Sequence, residues 1–236
     1  MRSDHSFTMA SCNVHGGYDR NGKPFDLIQM CRSLKADVIA LQETWTPDGG
    51  DDPIAAAAAS LGVEAAGHDL MHTTLHDLGI SGAEPHQGGR WGLSLLTSWP
   101  MESKEIIVLG RAPRDAAVRV AQVIVVSLPT GRPLRIVNTH LTYRVPFSVP
   151  QLLRLARRLK PSSIPTLIVG DLNMFWPSTM VAVGYRRALR GATWPAHRPA
   201  VQLDHMLIDR NISSLRGEVL NIAGSDHLPI RAELSC

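Results

Sequence analysis

Short apolar runs that stop at a polar side chain dominate this chain. "HSFTMASCNV" alternates loosely and ends at Asn13, "ADVIALQE" is a continuous apolar run ending at Glu43, and "RPLRIVNTHL" ends near His140. These are the patterns of half-buried and fully buried strands. Between the first two, "PFDLIQMCRSL" spaces its apolar residues helically and opens on Pro24, a residue suited to a first helical turn. A strand, helix, strand unit is therefore predicted. "WGLSLLTSWP", "KEIIVLG" and "AVRVAQVIVVSLP" read as consecutive strands cut by Gly and Pro, which suits antiparallel pairing. The basic run "RLARRLK", residues 154 to 160, shares its segment with Leu152, Leu153, Leu155 and Leu159. An amphipathic helix with a solvated basic side explains it better than a patch for a phosphate backbone. A strand running into Asp171, a helix within 178 to 190, and two or three short strands complete the chain. Ala55 to Ala59 reads as helix, and segments 68 to 90, 143 to 150 and 174 to 200 read as loops.

Composition narrows the class. At 236 residues the chain can bury one sizeable core, and a single domain over 1–236 is expected. Hydrophobic residues make up 44% and charged residues 19%, with a mean hydropathy of -0.02, as in globular proteins rather than disordered or membrane ones. The opening "MRSDHSFTMASCNV" has no apolar stretch of signal-peptide length, which favours the cytoplasm. Cys12, Cys31 and Cys236 are odd in number and show no C-x-x-C spacing, so reduced thiols are expected. A net charge of +3 tolerates a polyanionic partner without requiring one.

Five polar clusters follow the short apolar strands: "SCNVHGG", "LQETW", "VNTHLTY", "VGDLN" and "GSDHLP". A sixth, "QLDHMLID", sets Asp204 within an apolar strand. Open α/β sheets bind ligands outside the carboxyl ends of their strands. A lone strand-end Asn or Asp is ordinary; the collection carries the argument. Carboxylates, amides and imidazoles are the groups that hold a hydrated divalent cation and grip phosphate oxygens. No G-x-S-x-G, P-loop or Rossmann glycine pattern competes.

With "LQE", "NTHL", "GDLN", "LDH" and "SDHLP" in this order, the chain resembles the endonuclease/exonuclease/phosphatase superfamily from Asn13 to Pro229. The resemblance implies a DNase-I-like α/β (α+β) fold, a four-layered two-sheet β-sandwich flanked by helices, with its site at the top between the sheets. It also implies a phosphoester hydrolase using Mg²⁺ or Mn²⁺, with in-line attack of water on phosphorus. Glu43 would be the principal metal ligand, Asp226 would complete the metal shell, and Asn13 would contact metal water or phosphate. Asp171 would orient or deprotonate the attacking water and Asn173 would donate to a phosphate oxygen. Residues two apart on a strand point the same way, which would aim Asp171 and Asn173 together. His227 would contact the phosphoryl oxygen, with Asp204 on its other ring nitrogen, and His140 would be a second phosphate-facing imidazole.

Two positions depart from the family pattern. His15 stands where repair-type members carry an acid, which argues against an abasic-site enzyme. An acidic partner for His140 is not identifiable, with Glu84 as the candidate. His68, His72 and His76, spaced four apart, would align for zinc on a helix, but lack the intervening glutamate of H-E-x-x-H and fall in a strand or loop by the resemblance. Trp45 and Trp176, beside Glu43 and "GDLN", are candidates to stack on a base or headgroup.

The substrate expected is a phosphoester, with nucleic acid among the candidates and a nuclease or other phosphodiesterase as the leading activity. The alternative is a phospholipid headgroup, inositol phosphate or small metabolite. A minimal chain leaves little room for inserted arms or hydrophobic loops, which points to a small or single-stranded substrate and a monomer. A catalytically dead binding module would have lost site residues, and Glu43, Asp171, Asn173, Asp204, Asp226 and His227 are all present.

Overall fold

The computed structural model describes residues 6–80, 87–159 and 162–236, with all of their side chains except those of 176 and 177. In chain order the strands are β1 (Ser6–Asn13), β2 (Val38–Pro47), β3 (Glu64–Thr74), β4 (Gly88–Thr97), β5 (Met101–Gly110) and β6 (Arg119–Ser127). They continue with β7 (Pro133–Thr139), β8 (Thr166–Asp171), β9 (Arg186–Arg187), β10 (Asp204–Ile208), β11 (Ser213–Val219) and β12 (Ile230–Ser235). The helices are α1 (Leu27–Leu34), α2 (Pro53–Leu61), α3 (Ser148–Arg158) and the single turn α4 (Trp176–Thr179). Two six-stranded sheets result, ordered β11-β12-β1-β2-β4-β3 and β5-β6-β7-β8-β10-β9.

The sheets face each other across a core that includes Phe7, Met9, Leu95, Ile136, Leu167 and Ile230. The outer face of the second sheet is covered by α3, whose Leu152 and Leu155 are fully buried against Val123, Val137 and Ile168. Burying each of these leucines contributes roughly 2 kcal/mol. Met30, Cys31 and Leu34 of α1 and Ile54, Ala57 and Ala58 of α2 cover the first sheet. Four layers, helix, sheet, sheet, helix, thus follow from the apolar faces that the sequence pattern marks.

The helix boundaries follow local chemistry. Helix α1 starts at Leu27 rather than Pro24, because Asp26 caps it by accepting from the Gln29 backbone N–H at 2.9 Å. Helix α2 has Asp52 as its cap, Pro53 in its first turn and Gly62 in the left-handed region at its end. The helix predicted within 178 to 190 does not form. That stretch holds Gly184 at φ +92 and the short strand β9, which pairs with β10. The three strands predicted to run on as antiparallel neighbours are divided between the sheets: β4 pairs with β2 and β3, whereas β5 pairs with β6. The turn between β4 and β5 is the crossover. Residues 68–74, read as loop, belong to β3.

A buried polar bridge ties the two sheets together beneath the site. Gln42 Nε2 donates to Asn138 Oδ1 at 2.8 Å, and Asn138 Nδ2 donates to the carbonyls of Leu41 and Ser94 at 3.1 and 3.0 Å. Both side chains are fully buried, and Ser11 Oγ, on Gln42's own sheet, completes the bonding of the Gln42 amide.

Candidate active site

Strand register assembles the candidate residues. The parallel pairing of β1 with β2 sets Asn13 opposite Gln42, so Asn13 lies beside Glu43. Strand β2 does not end at Glu43 as the pattern suggested. It carries a bulge between Gln42 and Thr44, with Glu43 at φ +55. A bulge re-aims a side chain while leaving the strand intact. The antiparallel pairing of β8 with β10 sets Asp171 directly opposite Asp204. Gly170 permits the close approach of β8 to β7: at φ +137, a Cβ there would lie 2.0 Å from the Thr139 carbonyl oxygen.

Asn13 joins the two principal carboxylates. Its Nδ2 donates to Glu43 Oε1 at 2.8 Å and to Asp171 Oδ2 at 3.1 Å. His140 Nε2 lies 3.5 Å from Asp171 Oδ2 and 3.8 Å from Glu43 Oε1. On the other side, His227 Nδ1 donates to Asp204 Oδ2 at 2.8 Å and its Nε2 lies 3.9 Å from Asp171 Oδ2. Asn173 does not follow strand alternation after Asp171. It sits at φ +50, its backbone N–H donates to Asp171 Oδ1 at 2.9 Å, and its Nδ2 donates to the Leu141 carbonyl and contacts His140 Nε2, each at 3.1 Å. An Asx turn, not the period of two, therefore aims the amide.

The loop bearing His227 is pinned by Ser225, whose Oγ donates to the Asn13 carbonyl at 2.6 Å and accepts from the His227 N–H. Asp226 has contacts of its own: its Oδ1 lies 3.3 Å from Ser225 Oγ and 4.0 Å from His15 Nδ1, and its Oδ2 accepts from Trp194 Nε1. Trp45 is buried in a small cluster with Leu75, Ile80 and Trp91, packed rather than presented to solvent. Glu84 and the Trp176 side chain lie outside the described residues. His68 and His72 lie in β3 and His76 in the turn after it, so the helical alignment for zinc is not formed.

The site creates different charge states from similar parts. Burial lowers the pKa of His227, but Asp204 and Asp171, with Asp226 behind them, outweigh it and push the imidazole up to about 10. Burial, the Arg119 cation and then His227 hold His140 well below its ordinary value. Burial raises Asp171 to about 7, with His227 and the Asn13 amide opposing and Asp204 and Glu43 assisting the rise.

Three residues of the site were not singled out from the sequence. Arg119 is buried and binds Asp115 with two hydrogen bonds, Nε at 2.9 Å and Nη2 at 3.0 Å, while its guanidinium lies 5.3 Å from the Trp91 ring. Trp91 packs edge-on to His140 at 5.5 Å. Together with Glu43, Asp171, Asn173 and His227 they line a cavity of about 280 Å³. Asp115 and Arg119 pair locally, four residues apart, but only the fold brings Arg119 and Trp91 against His140 and the cavity. Cavity residues on the first-sheet side include Met71 and Leu78, which belong to the segment read as loop.

The donor set fits a divalent cation. Oxygen atoms of Glu43 and Asp171 and a nitrogen of His140 all lie within 4.8 Å of one another, as do ligand atoms of Asp171, Asp204 and His227. The raised pKa of Asp171 reflects crowded, buried carboxylates, which a cation would relieve.

A sequence profile of the endonuclease/exonuclease/phosphatase family matches residues 10–227, and the chain belongs to that family. Members of this family are phosphoester hydrolases, and the family generally uses a divalent metal. No curated protein sequence matches. Similar solved structures include an endonuclease/exonuclease/phosphatase family protein from Bacteroides thetaiotaomicron, with TM-score 0.75 and 15% identity over 97% of each chain. The mannosyl-6-phosphatase Bt3783 of Bacteroides thetaiotaomicron VPI-5482 has TM-score 0.74 and 14% identity, covering 98% of this chain and 100% of that one. The human Nocturnin catalytic domain, with a bound sulfate anion, has TM-score 0.74 and 18% identity, covering 98% and 93%. At these identities the likeness is one of fold.

Proposed function

We propose that this protein is a divalent-metal-dependent phosphoester hydrolase that attacks phosphorus in line with water, acting as a nuclease or other phosphodiesterase. The observation that carries this reading is the buried group in which the Asn13 amide holds the Glu43 and Asp171 carboxylates side by side, facing one charged and one neutral imidazole. Glu43 would be the principal ligand of Mg²⁺ or Mn²⁺, with Asp226 and Asn13 completing its surroundings and Asp171 left free for the water. The cation, when bound, supplies Lewis-acid stabilisation of charge on the phosphate oxygens.

The chain's own residues have complementary roles. Asp171, basic near neutral pH, orients the attacking water and accepts its proton at Oδ2. His227, kept protonated by Asp204, donates from Nε2 to the phosphoryl oxygen as negative charge grows there. Asn173 Nδ2 exchanges its His140 contact for a phosphate oxygen, and the freed His140 faces the leaving side. Phosphoester hydrolysis demands on the order of 20 kcal/mol of barrier lowering, which calls for many positioned donors rather than one.

A second reading keeps this chemistry and changes the substrate to a headgroup or small phosphate ester. The cavity of about 280 Å³ favours it, and one structural relative is named a mannosyl-6-phosphatase. The test is hydrolysis of single- and double-stranded DNA, bis(p-nitrophenyl) phosphate and p-nitrophenyl phosphate with Mg²⁺, Mn²⁺ or EDTA, beside Asp171→Asn. EDTA-sensitive DNA cleavage, reduced about 10³-fold in the variant, is the expected result. Turnover of only the small esters would replace the nuclease reading with the second one, and undiminished turnover in EDTA would overturn both.

A further inference from the structure

We infer that the second-sheet lip of the active-site cleft docks on an anionic phospholipid surface. The inference goes beyond the hydrolase reading and does not depend on it. Between residues 116 and 203 the sequence carries twelve Lys or Arg and one acid, Asp171, whereas the rest of the chain carries twelve cations and twenty acids. The small net charge therefore conceals a strongly basic half, the one that builds most of the second sheet.

Three loops of that sheet form the lip. Residues 111–118 lead into β6, 143–147 follow His140, and 174–185 follow Asn173. They adjoin one another and the cavity: Ala116, Ala117, Tyr143 and Asn173 all line it, and Ser148 Oγ donates to the Asn173 carbonyl at 3.5 Å. The lip exposes Val118, Tyr143, Val145, Phe147, Phe175, Met180 and Val183, seven of the eleven exposed large apolar side chains among the described residues. A minimal chain was expected to lack hydrophobic loops; these loops are short, but their side chains point outward. Tyr143 lies under the Arg144 guanidinium at 4.7 Å. Arg144 donates to the Arg114 carbonyl, and Arg111 to the Asp115 and Ala116 carbonyls. These cations are thus held at the lip by neutral carbonyls, and no carboxylate forms an ion pair with them among the described residues. Across the cavity, Asp77 lines the first-sheet side.

Exposed apolar side chains beside unneutralised arginines are the combination that binds an anionic bilayer surface. A single-stranded nucleic acid would use the same charge and stack on aromatic side chains, of which the lip has three of seven, Tyr143, Phe147 and Phe175. The most exposed members here are aliphatic: Val183 at 86%, Val145 at 72% and Met180 at 64%. That composition favours lipid.

The experiment is flotation of the full chain with phosphatidylcholine vesicles, with and without phosphatidylserine, in EDTA so that hydrolysis plays no part. Arg114→Glu/Arg144→Glu and Val145→Ser/Val183→Ser lie outside the catalytic group and serve as variants. The expected result is flotation only with phosphatidylserine, weakened at least about tenfold by each double substitution. Failure to float at low ionic strength would overturn the inference. So would sensitivity to the arginine pair alone, which would mean simple electrostatic adsorption. Preferential binding of a single-stranded oligonucleotide that displaces vesicles would assign the lip to nucleic acid instead. None of these outcomes bears on whether the cleft hydrolyses phosphoesters, which the EDTA-dependent assays decide separately.

Discussion

The two walls of the cleft each present a buried histidine to Asp171, and only one of the two carries a charge. His227 has Asp204 hydrogen-bonded to Nδ1 and Asp226 nearby, and is pushed up to about 10. His140 has no partner on Nδ1 among the described residues, lies against Trp91, and is held low by burial and Arg119. Burial alone disfavours the charged form of both; the neighbouring groups decide which one keeps its proton. One wall therefore offers a cationic donor and the other a neutral imidazole.

This contrast can be broken at several points. The largest loss is expected for His227→Ala, about 10²- to 10³-fold in kcat against bis(p-nitrophenyl) phosphate, since it removes the charged donor. Asp204→Asn makes the His227 wall resemble its counterpart. It should cost about 10²-fold and move the alkaline limb of the pH–rate profile to lower pH; an unmoved limb would show that Asp204 does not maintain the imidazolium. His140→Gln preserves a neutral polar group and should cost only about tenfold, with the alkaline limb unchanged.

Stability should reveal the same asymmetry in protein stripped of metal. The folded-state pKa of His227 is raised above its unfolded value, so its stabilisation is complete below about 6.5 and is lost as pH rises to about 10. Asp171, raised to about 7, acts in the same direction at lower pH. The Tm in EDTA should fall by several degrees between pH 6.5 and 10, and His227→Gln should flatten that fall, as thermal denaturation followed by circular dichroism would show. An equally steep fall in His227→Gln would assign the pH dependence elsewhere.

The amino-acid sequence by itself determined the kinds of element and the chemistry available at their ends. Apolar runs ending at Asn13, Glu43, His140 and Asp171, the amphipathic spacing of α3, and the ordered blocks from "LQE" to "SDHLP" are all local features. The ordered blocks carry the family resemblance, and that resemblance implied the two-sheet fold and the residues that meet in its cleft. The bulge that aims Glu43, the Asx turn that aims Asn173, and the assignment of β4 and β5 to different sheets could not be read locally, because they depend on which strands pair. The same holds for Trp91, Asp115 and Arg119, which belong to the site only through packing against His140 and the cavity. Only the tertiary structure decided the charge of each histidine. Protonation is set by desolvation and by charges brought close across the fold, and a residue's neighbours in sequence contain neither.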